Sequence, residues 1–176
     1  MLIEQINSHP RDNMNQHNIR NVKEDDFLTI AEIATYCPPM ITERNSIYHI
    51  FTRFFTSTSL IIESENKKVL GFLLGFISHD NPQEGYIHLL CVIPQCRKKG
   101  LAKTLVDEFL AIVKEKGCRK VYLITSPGNK KAINFYHKIG FKIENYGKEM
   151  VINGVKTIKN YNGPGEHKLI LTKLLE

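Results

Sequence analysis

The stretch LLCVIPQCRKKGLA, Leu89 to Ala102, decides the fold that we predict for this chain of 176 residues. It begins in an apolar strand, predicted over Tyr86 to Ile93, and Pro94 ends that strand because proline lacks the N–H that a sheet requires. A basic turn then leads into an amphipathic helix, predicted over Gly100 to Lys116. A strand, a short turn and a helix in this order indicate a mixed α/β domain.

The turn itself has the chemistry of a phosphate site. The first turn of a helix has N–H groups without intrahelical partners, and the helix dipole favours negative charge there. Gly100 and Ala102 have little or no side chain, so phosphate oxygens can approach the backbone closely. Arg97, Lys98 and Lys99 add positive charge beside them. The sequence contains neither a Walker loop nor a GxGxxG dinucleotide motif.

The remaining patterns predict one α/β domain over residues 19–176, preceded by a flexible leader over residues 1–18. The other predicted strands are Ile19–Val22, Leu60–Glu63, Val69–Ser78, Val121–Thr125 and Leu169–Leu174, with a hairpin of Met150–Ile152 and Val155–Thr157 about Asn153-Gly154. The other predicted helices are Glu24–Ala34, Ile47–Phe55 and Asn129–Ile139.

The helix over Ile47–Phe55 has an unusually regular apolar stripe. Its members recur at intervals of three and four residues: Ile47, Ile50, Phe51, Phe54 and Phe55. We expect these side chains to pack in the core, and a role in lining a substrate groove is the alternative.

Composition bounds the class of protein. Hydrophobic residues make up 42% of the chain, which is enough for a core, and no run approaches the roughly 20 apolar residues that a membrane helix needs. The N-terminus lacks a basic start followed by an apolar segment, so we expect a cytoplasmic protein with no membrane partner. The four cysteines have no CxxC or histidine spacing, so we expect buried reduced thiols and neither a metal site nor a disulfide framework: Cys37, Cys91, Cys96 and Cys118.

The net charge of +6 indicates either an anionic partner or a solvated basic surface. The basic residues are spread along the chain, with one local cluster at Arg97, Lys98 and Lys99. A compact polyphosphate suits that cluster better than nucleic acid, because no aromatic stacking positions alternate with the basic residues.

Two motifs in order resemble the GNAT (general N-acetyltransferase) superfamily. The first is the strand, Val92-x-Pro94, Arg97-x-x-Gly100-x-Ala102 and the following helix with Leu105, which is similar to that family's pyrophosphate-binding segment. The second is Asn129-x-x-Ala132-x-x-x-Tyr136-x-x-x-Gly140-Phe141, which is similar to the later cofactor and catalytic motif. The resemblance covers about Ile19 to Leu174. It implies a central, mostly antiparallel twisted sheet that splays between two adjacent strands and is flanked by helices.

The resemblance implies an acetyl-CoA-dependent N-acetyltransferase in which a primary amine attacks the thioester directly in a ternary complex. The pantetheine arm would lie between the strand that ends at Leu90, Cys91 and Val92 and the strand over Val121–Thr125, with an N–H near Val92 facing the thioester carbonyl. Tyr136 would protonate the leaving thiolate, although it could be a core residue. Asn129 would contact the cofactor, cap the helix, or do both. The pyrophosphate would be held by Arg97, Lys98, Lys99, Gly100, Leu101, Ala102 and Lys103.

The chain departs from the family in one respect that concerns the general base. Many relatives carry a carboxylate on the strand over Val121–Thr125, and this strand has none. The ammonium form of the acceptor must still lose a proton, and His88, expected on the same face as Tyr86 and Leu90, is our first candidate base. A structural strand histidine is the alternative reading. Other candidates for the base are Glu84, His79 and Asp80.

The sequence leaves the acceptor open. A small metabolite or amino acid is our first expectation, and a protein N-terminus or lysine is the alternative with the same chemistry. A non-catalytic module that senses a CoA thioester is a third reading, which the missing carboxylate keeps open. In some members of the family the last strands mediate dimer formation, so a homodimer is among the partners that the resemblance implies.

Overall fold

A computed structural model of the protein describes residues 17–23, 26–37, 45–144 and 149–176. The helices are α1 (Phe27–Thr35), α2 (Asn45–Phe54), α3 (Leu101–Glu115) and α4 (Lys130–Lys138). The strands are β1 (His17–Asn21), β2 (Leu60–Ser64), β3 (Val69–Ile77), β4 (Glu84–Val92), β5 (Lys120–Thr125), β6 (Lys142–Ile143), β7 (Glu149–Ile152), β8 (Val155–Ile158) and β9 (Leu169–Leu174).

Seven strands form the central sheet in the order β1-β2-β3-β4-β5-β9-β6, and β7 pairs with β8 as a separate hairpin. Within the sheet, β4 and β5 are parallel and the other neighbouring pairs are antiparallel. The connection from β4 to β5 runs through α3, because parallel neighbours need a crossover. This confirms the expected fold class, a mostly antiparallel sheet flanked by helices.

Helices cover both faces of the sheet. On one face α3 buries Leu105, Val106, Phe109 and Val113 completely. The approach is close, since a Cβ added at Gly75 of β3 would lie 2.5 Å from the Phe109 ring, so only glycine fits there. The opposite face is covered by α1 and α2, whose buried side chains form a second cluster with residues of β2, β3 and β4.

The buried face of α2 differs from the predicted stripe. Phe51 is buried as expected, but Ile50 and Phe54 are 46% and 74% exposed. Tyr48 and Thr52 occupy the interior instead, so the core packing that we expected of Ile50 and Phe54 is wrong. Both sides of this helix carry apolar residues, and spacing alone therefore does not fix its rotation about its own axis.

Other differences concern element ends. β1 begins at His17, so two residues that we assigned to the leader belong to the sheet; residues 1–16 lie outside the described residues. The short strand β6, which pairs with β9, was not predicted. The hairpin about Asn153-Gly154 is confirmed, and both residues have the positive φ values, 53° and 78°, that its turn requires.

The expectation of four reduced thiols is wrong for one pair. Cys37, which follows α1, forms a disulfide with Cys91 of β4, with Cα atoms 6.0 Å apart. The two residues are 54 positions apart, and only the packing of α1 on β4 brings them together, so no local spacing could indicate the bond. Cys96 and Cys118 are buried free thiols, as expected.

Two further findings concern classes of site. No helix among the described residues is long and apolar enough to cross a membrane. In the same part of the chain, no three histidine, cysteine, aspartate or glutamate side chains cluster in a way that could hold a metal ion.

Candidate active site

The sheet opens between β4 and β5. Their parallel pairing is limited to three positions, from Glu84 opposite Lys120 to Tyr86 opposite Tyr122. Beyond this point β4 continues beside β3, and β5 continues beside β9 as far as Thr125. In the described residues, the later part of β4 therefore borders a gap rather than a strand.

Backbone groups of β4 point into this gap. Ile93 donates its N–H to Leu70 of β3 at 2.9 Å. Successive backbone groups of a strand alternate in direction, so the N–H of Val92 points away from β3, toward β5. Leu90, two residues earlier, has the same direction. Cys91 does not, because its carbonyl faces Gly71 of β3 and its side chain is bonded to Cys37.

A β-bulge in β4 sets the direction of His88. Leu74 pairs with Leu89 and Gly75 pairs with Ile87, which leaves His88 as the extra residue. Its ring stacks on Phe51 of α2, with centroids 4.9 Å apart and planes 12° apart, and its Nε2 atom is shielded from solvent.

The bulge also corrects the predicted face of His88. Its ring lies 6.0 Å from that of Tyr86 on the α2 side, as expected. Leu90, however, packs against the cluster on the α3 side, so the expectation that it shares this face is wrong. Strict alternation along a strand cannot anticipate an inserted residue.

The predicted phosphate turn leads into the N-terminus of α3. Pro94–Cys96 form one 3-10 turn, and α3 begins at Leu101. Lys98 and Gly100 have positive φ values, 63° and 84°, and a Cβ added at Gly100 would meet no heavy atom within 4 Å. The helix N-terminus is thus open at Gly100, and Lys98 and Lys99 are exposed beside it.

Two basic side chains near this turn have protein partners. Lys103 pairs with Asp107 one turn along α3, at 2.5 Å. Arg97 turns toward α1: its Nε donates to the carbonyl of Val92 and its Nη2 donates to the carbonyl of Tyr36, both at 2.9 Å. The guanidinium of Arg97 therefore joins α1 to β4, a contact that the sequence did not indicate.

Asn129 and Tyr136 lie at the two ends of α4. Asn129 is the N-cap, since its Oδ1 accepts a hydrogen bond from the N–H of Ala132 at 3.2 Å. Tyr136 is 6% exposed and packs edge-on against Phe135 and Phe141, with centroids 5.0 and 5.2 Å away. Burial raises the pKa of the Tyr136 hydroxyl far above its usual range, and Tyr86 raises it further, so the group stays protonated at neutral pH.

Contiguous rings extend from α2 across the sheet below the gap, a feature we call the aromatic floor. Neighbouring rings in it have centroids 4.9 to 6.2 Å apart. Its members are Phe51, Phe55, Phe76, Tyr86, His88 and Tyr122.

Two tyrosines of the floor were not predicted as site residues. Tyr86 and Tyr122 face each other at the last β4–β5 pair, and their rings are 4.9 Å apart. Burial raises the pKa of Tyr122, and the nearby Glu84 and Tyr161 raise it further. The sequence signal was a tyrosine on each strand of the splayed pair.

The structure sorts the candidate bases. β5 has no carboxylate, as the sequence showed. His88 and Glu84 both lie on β4 and are partly buried, whereas His79 and Asp80 are exposed in the loop that precedes it. Of these two, His88 follows the last β4–β5 pair and so borders the gap, whereas Glu84 lies where the two strands are still paired.

The gap between β4 and β5 thus lies beside a basic turn and the N-terminus of α3. The sequence of residues 25–141 matches the acetyltransferase (GNAT) family, and the chain belongs to that family.

Two relatives by sequence carry different substrate names. The chain is 28% identical over 134 residues to an N-terminal acetyltransferase complex ARD1 subunit homolog of Dictyostelium discoideum, covering 74% of this chain and 65% of that protein. It is 27% identical over 92 residues to the L-2,4-diaminobutyric acid acetyltransferase of Chromohalobacter salexigens, covering 52% of this chain and 48% of that protein. The chain thus spans about half to two thirds of the length of these relatives.

A solved structure shares the fold. Diaminobutyrate acetyltransferase EctA from Paenibacillus lautus, in complex with L-2,4-diaminobutyric acid and coenzyme A, superposes with a TM-score of 0.68 at 18% identity, covering 92% of this chain and 97% of that one.

Proposed function

We propose that this protein is an acetyl-CoA-dependent N-acetyltransferase that moves an acetyl group to a primary amine by direct attack in a ternary complex. The observation that carries the proposal is the gap between β4 and β5, which opens beside the N-terminus of α3. Membership of the GNAT family supports the same chemistry.

The residues around the gap fit an extended cosubstrate with an anionic end. Leu90 offers its backbone groups to the gap and Val92 offers its N–H, since the Val92 carbonyl already accepts from Arg97; the amide arm of pantetheine can pair with such a strand edge. The N-terminal N–H groups of α3, from Leu101 to Lys103, together with Lys98 and Lys99, suit a pyrophosphate, with no Cβ at Gly100 to obstruct it. Asn129 is assigned a cofactor contact in addition to its capping bond.

Acetyl-CoA, when bound, supplies an acyl group activated as a thioester. The N–H of Val92 is assigned to stabilise negative charge on the acyl oxygen, because it points into the gap. Tyr136 is assigned as the general acid, and its burial keeps the hydroxyl proton in place until a leaving thiolate needs it. His88 is assigned to accept the proton of the amine, directly or through water.

We propose a small amine or amino acid as acceptor. Since α3 covers the face where the phosphates would bind, the acceptor must reach the gap from the α1–α2 face, where it meets the aromatic floor. An ammonium group is attracted to the faces of tyrosine and phenylalanine rings, so the floor favours a cationic acceptor. The name of the Chromohalobacter relative, a diamino acid acetyltransferase, agrees with this class.

A protein N-terminus is the second candidate acceptor. The observation in its favour is the similarity to the Dictyostelium protein, which covers more of this chain than the diamino acid enzyme does. We further propose a cytoplasmic location, which cell fractionation would test, and a homodimer, which light scattering of the purified protein would test.

The test is CoA release from acetyl-CoA across a panel of diamines, amino acids and peptides with free N-termini. Turnover with diamines or amino acids alone supports the small-amine proposal, and turnover with peptides alone overturns it in favour of the second candidate. If the protein binds acetyl-CoA in calorimetry but turns over with none of the panel, the proposed activity fails and a CoA-thioester sensor replaces it.

A further inference from the structure

Two links join the C-terminal end of α1 to the end of β4. One is the Cys37–Cys91 disulfide. The other is the side chain of Arg97, which donates one hydrogen bond to the carbonyl of Tyr36 and one to the carbonyl of Val92, both 2.9 Å long. We call Cys37, Cys91 and Arg97 the α1–β4 clamp. Both cysteines are buried, with exposed fractions of 6% and 2%.

The clamp lies between the helices α1 and α2 and the edge of β4 that borders the gap. Cys91 immediately precedes Val92, whose N–H points into the gap. Cys37 lies two residues after the end of α1, and α2, which follows it in sequence, carries Phe51 against His88. The disulfide thus joins the end of α1, on the face from which we propose that the acceptor enters, directly to β4, the strand that borders the gap proposed for acetyl-CoA.

The position of Arg97 gives the sulfur atoms a charged neighbour. Its Nη2 lies 3.4 Å from the Sγ of Cys37. A guanidinium at this distance stabilises negative charge that develops on sulfur when a disulfide is cleaved, which favours thiol–disulfide exchange at this bond.

We propose that the Cys37–Cys91 disulfide is a reducible tether that sets the acceptor side of the cleft, so that acceptor use responds to the thiol–disulfide state of the surroundings; this rests on the proposed function. Reduction by a dithiol breaks the S–S bond and transfers two electrons and two protons to the cysteines, while the dithiol closes into its own disulfide. Oxidation by a small-molecule disulfide reverses the step and releases two small thiols. In the reducing cytoplasm such a bond forms only when the thiol pool is oxidised.

The expected effect is on the acceptor rather than on acetyl-CoA. In the oxidised protein a covalent bond adds to the packing of α1 on the sheet, whereas in the reduced protein only that packing and the hydrogen bonds of Arg97 hold the end of α1 on β4. We expect reduction to raise the KM of the acceptor about tenfold. The affinity for acetyl-CoA changes less than twofold, because the N-terminus of α3 and the gap edge at Leu90 do not depend on Cys37.

The experiment uses the full chain in two states, prepared with excess glutathione disulfide and with dithiothreitol. Alkylation followed by mass spectrometry should find two reactive thiols per denatured chain in the first state and four in the second. Acceptor KM is then measured in both states for the wild type, for Cys37→Ser, and for Cys118→Ser as a matched control at a buried free cysteine.

We expect the wild type and Cys118→Ser to respond to the reductant and Cys37→Ser to resemble the reduced protein in both states. Reoxidation of the reduced wild type should restore the low KM, which separates the tether from any folding defect of the variant. Four thiols in the glutathione-disulfide state, an acceptor KM equal in both states, or a response that persists in Cys37→Ser would overturn the proposal. An absence of turnover in both states, with acetyl-CoA still bound, would refute the proposed function, and the tether's role in acceptor use would fall with it.

Discussion

The two sides of the cleft are built by different means. The donor side, where we propose that acetyl-CoA binds, consists of the turn after β4, the N-terminus of α3 and the inner edge of β4, and it offers mainly backbone groups. The acceptor side, from which we propose that the amine enters, consists of α1, α2 and the aromatic floor, and it depends on side chains from distant parts of the chain. A backbone site needs only a short continuous motif, whereas a side-chain site needs the whole fold to be assembled.

This difference suggests that cosubstrate binding and acceptor selectivity depend on separate parts of the molecule. The donor side can hold one invariant cosubstrate because helix termini and strand edges bind phosphates and amides whatever the neighbouring side chains are. The acceptor side can change its selectivity through single side chains without disturbing the donor side. Substitutions on each side should therefore affect different kinetic constants.

The largest expected effect concerns Tyr136, the proposed general acid. Tyr136→Phe removes the proposed proton donor and keeps the edge-on ring packing against Phe135 and Phe141. We expect kcat to fall by about 10² to 10⁴, the usual contribution of general acid catalysis, with the KM of acetyl-CoA little changed. The control is Tyr36→Phe. The ring of Tyr36 is exposed, and its contact with Arg97 is made by the backbone carbonyl, which the substitution keeps. A kcat of Tyr136→Phe within threefold of the wild type would assign Tyr136 to the core alone.

The second effect tests the acceptor side. His88→Gln should lower kcat/KM for the acceptor by about 10², because glutamine cannot take a proton from the amine, and should flatten the acidic limb of the pH–rate profile. His79→Gln, in the exposed preceding loop, is the matched control and should leave the profile intact. If the profile of His88→Gln matches the wild type, Glu84 becomes the leading candidate base.

The third effect tests the donor side with two glycines of one helix. Gly100 and Gly117 flank α3, both have positive φ, and neither has a heavy atom within 4 Å of an added Cβ. Replacing either with alanine should lower the free energy of unfolding by about 1 to 2 kcal/mol through the same backbone strain. Only Gly100→Ala should also weaken acetyl-CoA binding, by about tenfold in calorimetry. Equal acetyl-CoA affinities in the two variants would contradict the proposal that the phosphates bind at this turn.

The smallest effect is a pH dependence of stability. Burial raises the pKa of Tyr136 above the value of about 10 that it has when the chain is unfolded. The folded state therefore keeps this proton longer, so its contribution to stability is complete below pH 10 and is lost as the pH rises further, by up to about 1.4 kcal/mol per pH unit. Urea unfolding of the wild type and Tyr136→Phe between pH 9 and 11 should give a steeper decline for the wild type. Parallel curves would show that Tyr136 titrates normally.

The sequence predicted the strand, turn and helix of the proposed donor side well because their signals are local. Pro94, the basic turn and the apolar period of α3 lie in one continuous stretch, and these were enough for the order of strand, turn and helix. The hairpin about Asn153-Gly154 could be predicted equally well, since two adjacent residues determine its turn.

The acceptor side could not be predicted in the same way. One inserted residue in β4 redirects His88 relative to Leu90, and no pattern in the sequence marks the bulge. The Cys37–Cys91 bond and the inward turn of Arg97 arise from packing between residues more than 50 positions apart. The rotation of α2 was also missed, because its apolar residues lie on more than one face.

The most direct test of the central claim is a crystal structure of the protein with coenzyme A. The account predicts that the pantetheine arm runs through the gap between β4 and β5, with its amides paired to Leu90 and Val92. The pyrophosphate should lie on the N–H groups at the start of α3, and the sulfur should lie within hydrogen-bond reach of the Tyr136 hydroxyl. Coenzyme A bound elsewhere, or a gap closed by continued pairing of β4 with β5, would contradict it.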